Sequence, residues 1–157
     1  MNINIICVGK LKEKYLKEAQ TEYVKRISRF TKINIIEIAD EKLTGSESLD
    51  ELAKEKEGVK ILNKLNKNSY IFAMDIKGCQ MNSVEFAEKI DNLILKGKSN
   101  FTFIIGGSLG LSKDVLNVAD KKLSFSSMTF PHQLFRVMLL EQIYRCFKIN
   151  NNETYHK

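Results

Sequence analysis

The feature that most constrains the fold is a regular alternation of short apolar runs with longer segments of helical periodicity. Four runs rich in β-branched and aromatic residues begin at Ile3, Lys32, Tyr70 and Asn100: "INIICV", "KINIIEI", "YIFAMDI" and "NFTFII". Apolar residues recur at helical spacing between them, as over residues 15–27. Strands that alternate with helices of this length predict a parallel α/β sheet with helices on both faces. A chain of 157 residues buries one core, so we expect a single domain over 1–157.

Local signals predict where several elements begin and end. The second helix is expected to start at an N-cap Ser48, with Glu51 completing a capping box, and to run to about Leu65. The third strand is expected to turn at Gly78, and the third helix to end at Gly97. Further along, Ser112 is expected to cap a short helix, followed by a fifth strand. The buried stripe expected for the third helix comprises Val84, Ala87, Ile90 and Ile94.

The last helix has a different pattern from the others. The segment "HQLFRVMLLEQIYRCFKI", residues 132–149, is apolar over most of its circumference. Such a helix must be covered on several sides, by the domain or by a second copy of it, which predicts an interface helix. Its few polar positions share a narrow stripe, on which Glu141 and Arg145 are spaced to form an ion pair.

Charge and cysteine usage limit the function classes. The formal net charge of +6 favours an anionic partner such as nucleic acid, although the 25 basic residues are interleaved with 19 acidic ones. No apolar run approaches the ~20 residues needed to cross a bilayer, and the N-terminus lacks the charge pattern of a secretory signal, so we expect a cytoplasmic protein with no membrane partner. Cys7, Cys79 and Cys146 form no C-x-x-C pair, which predicts buried thiols and no metal site.

A glycine-rich turn follows the fourth strand. Gly106, Gly107 and Gly110 stand in "IIGGSLGL", at a strand end where open α/β sheets collect ligands. The spacing matches neither a dinucleotide fingerprint nor a P-loop. The residues alone leave two interpretations open: a ligand site, or a tight turn that needs positive φ angles.

Four stretches together resemble one family. The segments "LSFSSMTFPHQLFRVMLLEQIYR", "YHK", "IIGGSLGL" and "VGKLKEKY" resemble the SPOUT class of RNA methyltransferases, in particular its small bacterial members that methylate pseudouridine in large-subunit ribosomal RNA. The resemblance covers essentially the whole chain. It implies a C-terminal trefoil knot, against the general rule that chains are unknotted. It also implies a homodimer, S-adenosylmethionine as methyl donor, and the ribosome as partner. The implied acceptor is N3 of a pseudouridine in the helix 69 loop of 23S ribosomal RNA.

The resemblance also implies a donor pocket. Glycines would let the backbone approach the donor, apolar side chains would wall the adenine, and the backbone of residues 126–129 would bind the adenine edge. Taken singly, each Met or Phe of this set is more often explained by core packing, and their shared loop position is what favours the pocket. The implied donor-binding residues are Met74, Gly106, Gly107, Phe125, Ser126, Ser127, Met128, Thr129 and Phe130.

The implied catalytic residues are Tyr155, His156 and Arg145. Tyr155 is expected to stack on or hydrogen-bond the target base, and His156 to orient it or accept its proton. Arg145, and after it Arg136, is a candidate for phosphate contact or for holding the base. His132 is expected either to fix its loop or to touch RNA.

Three alternatives remain at the level of the sequence. One is a methyltransferase that acts on a transfer RNA or on another ribosomal position, and a second is a non-catalytic ribosome-binding module. A flavodoxin-like nucleotide binder would need a phosphate loop after the first strand, where only "GKLKEK" stands.

Overall fold

Five parallel strands form one sheet, with helices on both of its faces. The computed structural model describes residues 1–157. The strand order is β2-β1-β4-β3-β5, and every pairing is parallel, so the predicted α/β sheet is confirmed. The strands are β1 (Asn2–Val8), β2 (Lys32–Ile38), β3 (Tyr70–Gln80), β4 (Asn100–Ile105) and β5 (Lys121–Ser124). The helices are α1 (Lys14–Ile27), α2 (Glu47–Leu62), α3 (Ser83–Leu95), α4 (Lys113–Val118) and α5 (His132–Asn150).

The alternation of side chains along the central strands builds two separate cores. Ile3, Ile5 and Cys7 of β1 belong to the larger cluster, on the face that α1, α3 and α5 cover. Ile6 and Val8 point to the other face, where they join the smaller cluster with residues of α2 and α4. Both faces are therefore apolar, which is why the strands read as continuous hydrophobic runs.

Helix α5 is the longest helix and packs against α1 and α3. Its side chains Leu139, Leu140 and Ile143 are buried, while its Leu134 is 40% exposed. The domain thus covers much of the helix, as expected. Cover by a second copy stays a prediction, and so does the knot, with which this strand order is consistent. None of the helices combines the length and apolar content needed to span a membrane.

Two predicted helix boundaries are wrong. Helix α2 begins at Glu47 and its N-cap is Ser46, so Ser48 lies within the first turn and forms no capping box with Glu51. It also ends at Leu62, three residues before the predicted Leu65. The sequence offers two serines as the N-cap, and the structure selects Ser46, whose side chain forms no hydrogen bond to a backbone N–H. A capping box does occur at α3, between Asn82 and Glu85.

The predicted stripe of α3 is rotated relative to the real one. Val84 and Ile94 are 39% and 38% exposed, whereas Ala87 and Ile90 are buried as predicted. Phe86 takes the inward position because its large ring fills the space edge-on against Phe72 and Phe103. The other buried residue of the helix is Leu93.

Glycines at two predicted boundaries behave differently. Gly97 has φ +82 just after α3 and ends it as predicted. Gly78 does not end β3, which continues to Gln80 with a register shift against β5. A Cβ at Gly78 would lie 2.7 Å from the backbone N of Leu123, so this glycine permits close strand contact.

Two of the three cysteines are buried and one is exposed. Cys7 and Cys146 are buried, as predicted, and burial raises the pKa of each thiol to about 12. Cys79 is exposed near the end of β3, so the prediction of a buried thiol is wrong there. No cysteine is paired in a disulfide.

Candidate active site

A cleft of about 330 Å³ opens at the carboxyl ends of β3, β4 and β5. This is within the ~300–1,000 Å³ typical of small-molecule sites. Eight of the nine residues expected to bind the donor line it; Ser127 does not. Those eight are Met74, Gly106, Gly107, Phe125, Ser126, Met128, Thr129 and Phe130. The cleft thus combines a glycine turn, a buried strand and one long loop.

The glycine turn is closed by its own backbone. The N–H of Gly110 donates to the carbonyl of Gly107 at 3.0 Å, and Gly110 has φ +79. A Cβ at Gly106 would lie 2.7 Å from the carbonyl carbon of Gly110, and one at Gly107 would lie 3.0 Å from Cγ1 of Val8. The two adjacent glycines are therefore required by packing within the protein. Of the three glycines only Gly110 has a positive φ, so the positive-φ interpretation holds for Gly110 and not for Gly106 or Gly107. The same turn lines the cleft, and its use as a ligand site stays a prediction.

The loop that follows β5 is held in a compact shape. Ser124 Oγ donates to the carbonyl of Ser126 at 2.9 Å, and Ser126 Oγ accepts from the N–H of Met128 at 3.0 Å. Phe125 packs against Phe135 of α5 with ring centroids 4.8 Å apart. Met128 remains 72% exposed at the mouth. The loop thus presents apolar surface without depending on a ligand for its shape.

A buried carboxyl group lies behind the glycine turn. Glu57 of α2 is 5% exposed, and its Oε1 accepts from the N–H of Glu41 at 2.9 Å. Its Oε2 has no hydrogen-bond partner and would lie 3.5 Å from a Cβ at Gly107. Burial raises the pKa of this carboxyl above its ordinary value of 4.5. Sequence analysis missed Glu57, since nothing distinguishes it from the solvated acids beside it.

Arg136 is a structural residue, and the prediction that it contacts phosphate is wrong. It is 1% exposed, and its guanidinium donates to Glu37 Oε1 at 2.7 Å and to the carbonyl of Gly9 at 2.9 Å. A further contact joins it to Gln20 Oε1 at 3.3 Å. These bonds fix the first turn of α5 to the end of β1. The neighbouring His132 lines the cleft, and burial together with the charge of Arg136 lowers the pKa of its imidazole.

The three predicted catalytic residues lie together on α5 and the C-terminal tail. Arg145 donates to Glu141 Oε1 through Nε at 3.0 Å and Nη2 at 2.5 Å, so the predicted ion pair is confirmed. The hydroxyl of Tyr155 donates to the same Oε1 at 3.1 Å, and the guanidinium lies 4.7 Å from the centre of the Tyr155 ring. His156 Nδ1 is 3.3 Å from Arg145 Nη1. One oxygen of Glu141 therefore holds both Arg145 and Tyr155. The sequence indicated only its pairing with Arg145, through their i,i+4 spacing.

The tail is ordered by packing as well as by charge. The Tyr155 ring meets the Tyr144 ring edge-on, with centroids 4.9 Å apart. Burial, assisted by hydrogen bonds to Tyr23 and Glu141, raises the pKa of the Tyr155 phenol to about 12. Tyr155 is therefore a neutral hydrogen-bond donor at physiological pH.

The tail cluster does not line the donor cleft of its own chain. Glu141 instead borders a second hollow of about 440 Å³, together with Asn82, Phe86 and Gln142. Leu123, Phe125 and Phe130 line both spaces, so the hollow and the cleft share a wall. No group of three or more His, Cys, Asp and Glu side chains is placed to hold a metal ion.

The family model and the curated relatives point to one family. A family model described as "Predicted SPOUT methyltransferase" matches residues 1–156. "Ribosomal RNA large subunit methyltransferase H" of Clostridium novyi (strain NT) is 61% identical, and the protein of that name from Clostridium kluyveri is 60% identical; each match covers 100% of both chains. A crystal structure of an A. aeolicus TrmH/SpoU tRNA modifying enzyme aligns with 12% identity and a TM-score of 0.47, over 95% of this chain and 77% of that one.

Proposed function

This chain belongs to the SPOUT methyltransferase family, and we propose that it transfers a methyl group from S-adenosylmethionine to large-subunit ribosomal RNA. The proposed acceptor is N3 of a pseudouridine in the helix 69 loop of 23S ribosomal RNA, on the assembled ribosome in the cytoplasm. The observation that carries the proposal is the cleft at the carboxyl edge of the sheet, which contains eight of the nine expected donor-binding residues. The names of its full-length relatives support ribosomal RNA as the substrate.

The residues of the cleft fit the proposed donor. Phe125, Phe130 and Met74 supply apolar walls for an adenine ring, and the glycine turn leaves backbone groups accessible beside them. When bound, S-adenosylmethionine supplies a methyl group activated by a sulfonium centre. The apolar walls exclude water and align the reactants, and alignment of this kind supplies much of the acceleration in a displacement reaction.

The tail cluster suits the acceptor base. N3 of pseudouridine carries a proton that must leave before methylation, and the cationic Arg145 would stabilise the resulting negative charge. A guanidinium can only donate, so Nδ1 of His156 would be the acceptor in their 3.3 Å contact, which leaves Nε2 to face the base. Of the two roles considered for His156, this arrangement favours orienting the base through an Nε2–H bond to a carbonyl oxygen. Tyr155 would stack against the ring.

A homodimer completes the proposal. Met128 lines the cleft and is 72% exposed, and Leu134 of α5, which directly precedes the cleft-lining Phe135, is 40% exposed. Covering them with a second copy would remove apolar surface from water at the cleft. Sedimentation of the purified protein tests this directly, with a monomer at micromolar concentration as the contradicting result.

Donor titration and transfer of label to RNA test the activity. Calorimetry should detect saturable binding of S-adenosylmethionine, and assembled ribosomes from cells lacking the protein should accept a labelled methyl group on one pseudouridine of the large subunit. Mass spectrometry of the RNA identifies the position. Label in transfer RNA alone would assign another substrate, and binding to ribosomes without donor binding would indicate a non-catalytic module.

A further inference from the structure

An exposed aromatic side chain and three lysines lie where the chain passes from the end of β1 into the first turn of α1. We call residues 10–15, "KLKEKY", the basic loop. Lys10, Lys12 and Lys14 are exposed, Glu13 is the only acid, and Tyr15 is 65% exposed at the start of α1. Tyrosine this exposed is not explained by the core, since α1 buries Leu16 and Ile27 instead. An exposed ring flanked by cations is the composition that nucleic-acid surfaces use for stacking and phosphate contact.

The basic loop is held firmly against the beginning of α5. Leu11 is 5% exposed and anchors its middle, and the backbone N–H of Lys12 donates to Gln133 Oε1 at 2.9 Å. The residue before the loop, Gly9, accepts from the buried Arg136. The lysine side chains take no part in these contacts, so the loop keeps its shape while its cations face solvent.

The same contacts place the basic loop beside the donor cleft. Gln133, its partner, directly follows His132, which lines the cleft. Nε2 of His132 would lie 3.4 Å from a Cβ at Gly9, at the entrance to the loop. The cations of the loop therefore border the His132 end of the cleft.

Two of the three lysines of the loop are free of ion pairs, like most lysines on this surface. Arg26, Lys60 and Lys148 form close ion pairs with neighbouring glutamates. Lys10 and Lys12 form none, and Lys14 has only a 3.7 Å contact with Glu18 in which both side chains are highly exposed. Unpaired cations can neutralise phosphates without first breaking an internal pair.

We propose that the basic loop is the RNA-docking surface of this chain: Tyr15 stacks on an unpaired base near the target nucleotide, and Lys10 and Lys12 contact its phosphates. This inference rests on the proposed function and specifies which surface receives the RNA.

Two variants and a matched control test the proposal. K10A/K12A removes two cations from the loop, and K96A/K98A removes two exposed lysines that follow α3, at the amino end of the sheet far from the cleft. Binding to assembled ribosomes, whose large subunits carry the proposed target, is measured by filter retention over a range of salt concentrations, without donor. K10A/K12A should weaken binding and reduce the salt slope by about 1–2, while the control keeps the wild-type slope.

Substitutions of Tyr15 test the proposed stacking on an unpaired base. Y15A should weaken binding about 5- to 150-fold, whereas Y15F, which keeps the ring, should bind like wild type. Donor affinity by calorimetry and sedimentation should stay unchanged for all of these variants. Equal binding by wild type, K10A/K12A and Y15A would overturn the proposal. A change of oligomeric state in Y15A would assign the surface to a second copy of the chain.

The proposed methyl transfer and the proposed docking surface can be contradicted independently of each other. If wild type binds the ribosomes but transfers no methyl group, the proposed activity is wrong, and the binding series still decides the role of the loop. If wild type methylates RNA and the loop variants bind normally, the activity holds and the docking surface lies elsewhere.

Discussion

Replacing Arg136 by methionine should destabilise the fold far more than an exposed arginine substitution of the same kind. Methionine keeps much of the apolar stem but removes the guanidinium, leaving the carboxylate of Glu37 and the carbonyl of Gly9 without their donors. Breaking a fully buried pair costs about 3–5 kcal/mol. Glu37 is 33% exposed and can regain water, so we expect a loss of about 2–4 kcal/mol.

The chain offers a matched control for this prediction. Arg26 and Glu22 are also 2.7 Å apart, but their side chains are 40% and 51% exposed, so R26M should leave the free energy of unfolding close to that of wild type. For a chain of this size each kcal/mol shifts Tm by about 2–4 °C, so R136M should unfold roughly 4–16 °C below wild type.

Urea unfolding and a double-mutant cycle provide the assay. The free energies of unfolding of wild type, R136M, E37Q and the double variant give the coupling between the two side chains, which we expect to be about 1–3 kcal/mol. Midpoints of R136M and R26M that coincide would refute the assignment of Arg136 to the core, and so would strictly additive effects. RNA binding by R136M should keep the salt slope of wild type at temperatures where it remains folded.

Three further predictions concern the cleft, the tail and the buried acid. Removing residues 155–157 should lower the methyl-transfer rate by about 10²-fold or more while donor affinity by calorimetry is retained; equal loss of both would contradict the separate roles given to the tail and the cleft. Gly106→Ala should cost about 1–3 kcal/mol of stability and weaken donor binding, because its Cβ would lie 2.7 Å from the Gly110 carbonyl carbon, whereas Gly45→Ala meets no atom within 4 Å and should leave donor affinity intact. Glu57→Gln should stabilise the protein at pH 7. Because folding raises the pKa of Glu57, the wild-type carboxyl favours the folded state only when it is protonated. Its contribution to stability is therefore present below pH 4.5 and is lost as the pH rises through the pKa of the folded state. The advantage of the variant should therefore vanish towards pH 4, and an advantage independent of pH would contradict the account.

The elements of this fold were predictable because strands buried on both faces have a strong signature. The bounds of β2 and β4 match the apolar runs residue for residue, and Ser112 caps α4 as expected. Rotation of α3 was not predictable from periodicity. Whether Val84 or Phe86 faces the sheet depends on the space left by Phe72 and Phe103, which come from other elements.

The cleft was predictable only through the family resemblance. Gly106 and Gly107 look equally suited to a turn or to a ligand, and the structure shows that packing against Gly110 and Val8 accounts for them. The roles of Arg136 and Glu141 depend on partners outside the local pattern. Arg136 pairs with a carboxylate 99 residues away, and no local signal separates such an arginine from one that faces RNA.

The position of α5 has a consequence for how the protein is made. Synthesis delivers β1 before any helix, yet the face of β1 that carries Ile3 and Ile5 belongs to a core that α1, α3 and α5 complete together. A nascent chain therefore exposes an unfinished core until α5 has left the ribosome, and parallel pairing between distant strands slows closure further. Synthesis of α5 thus sets the earliest moment at which this domain can become stable and act.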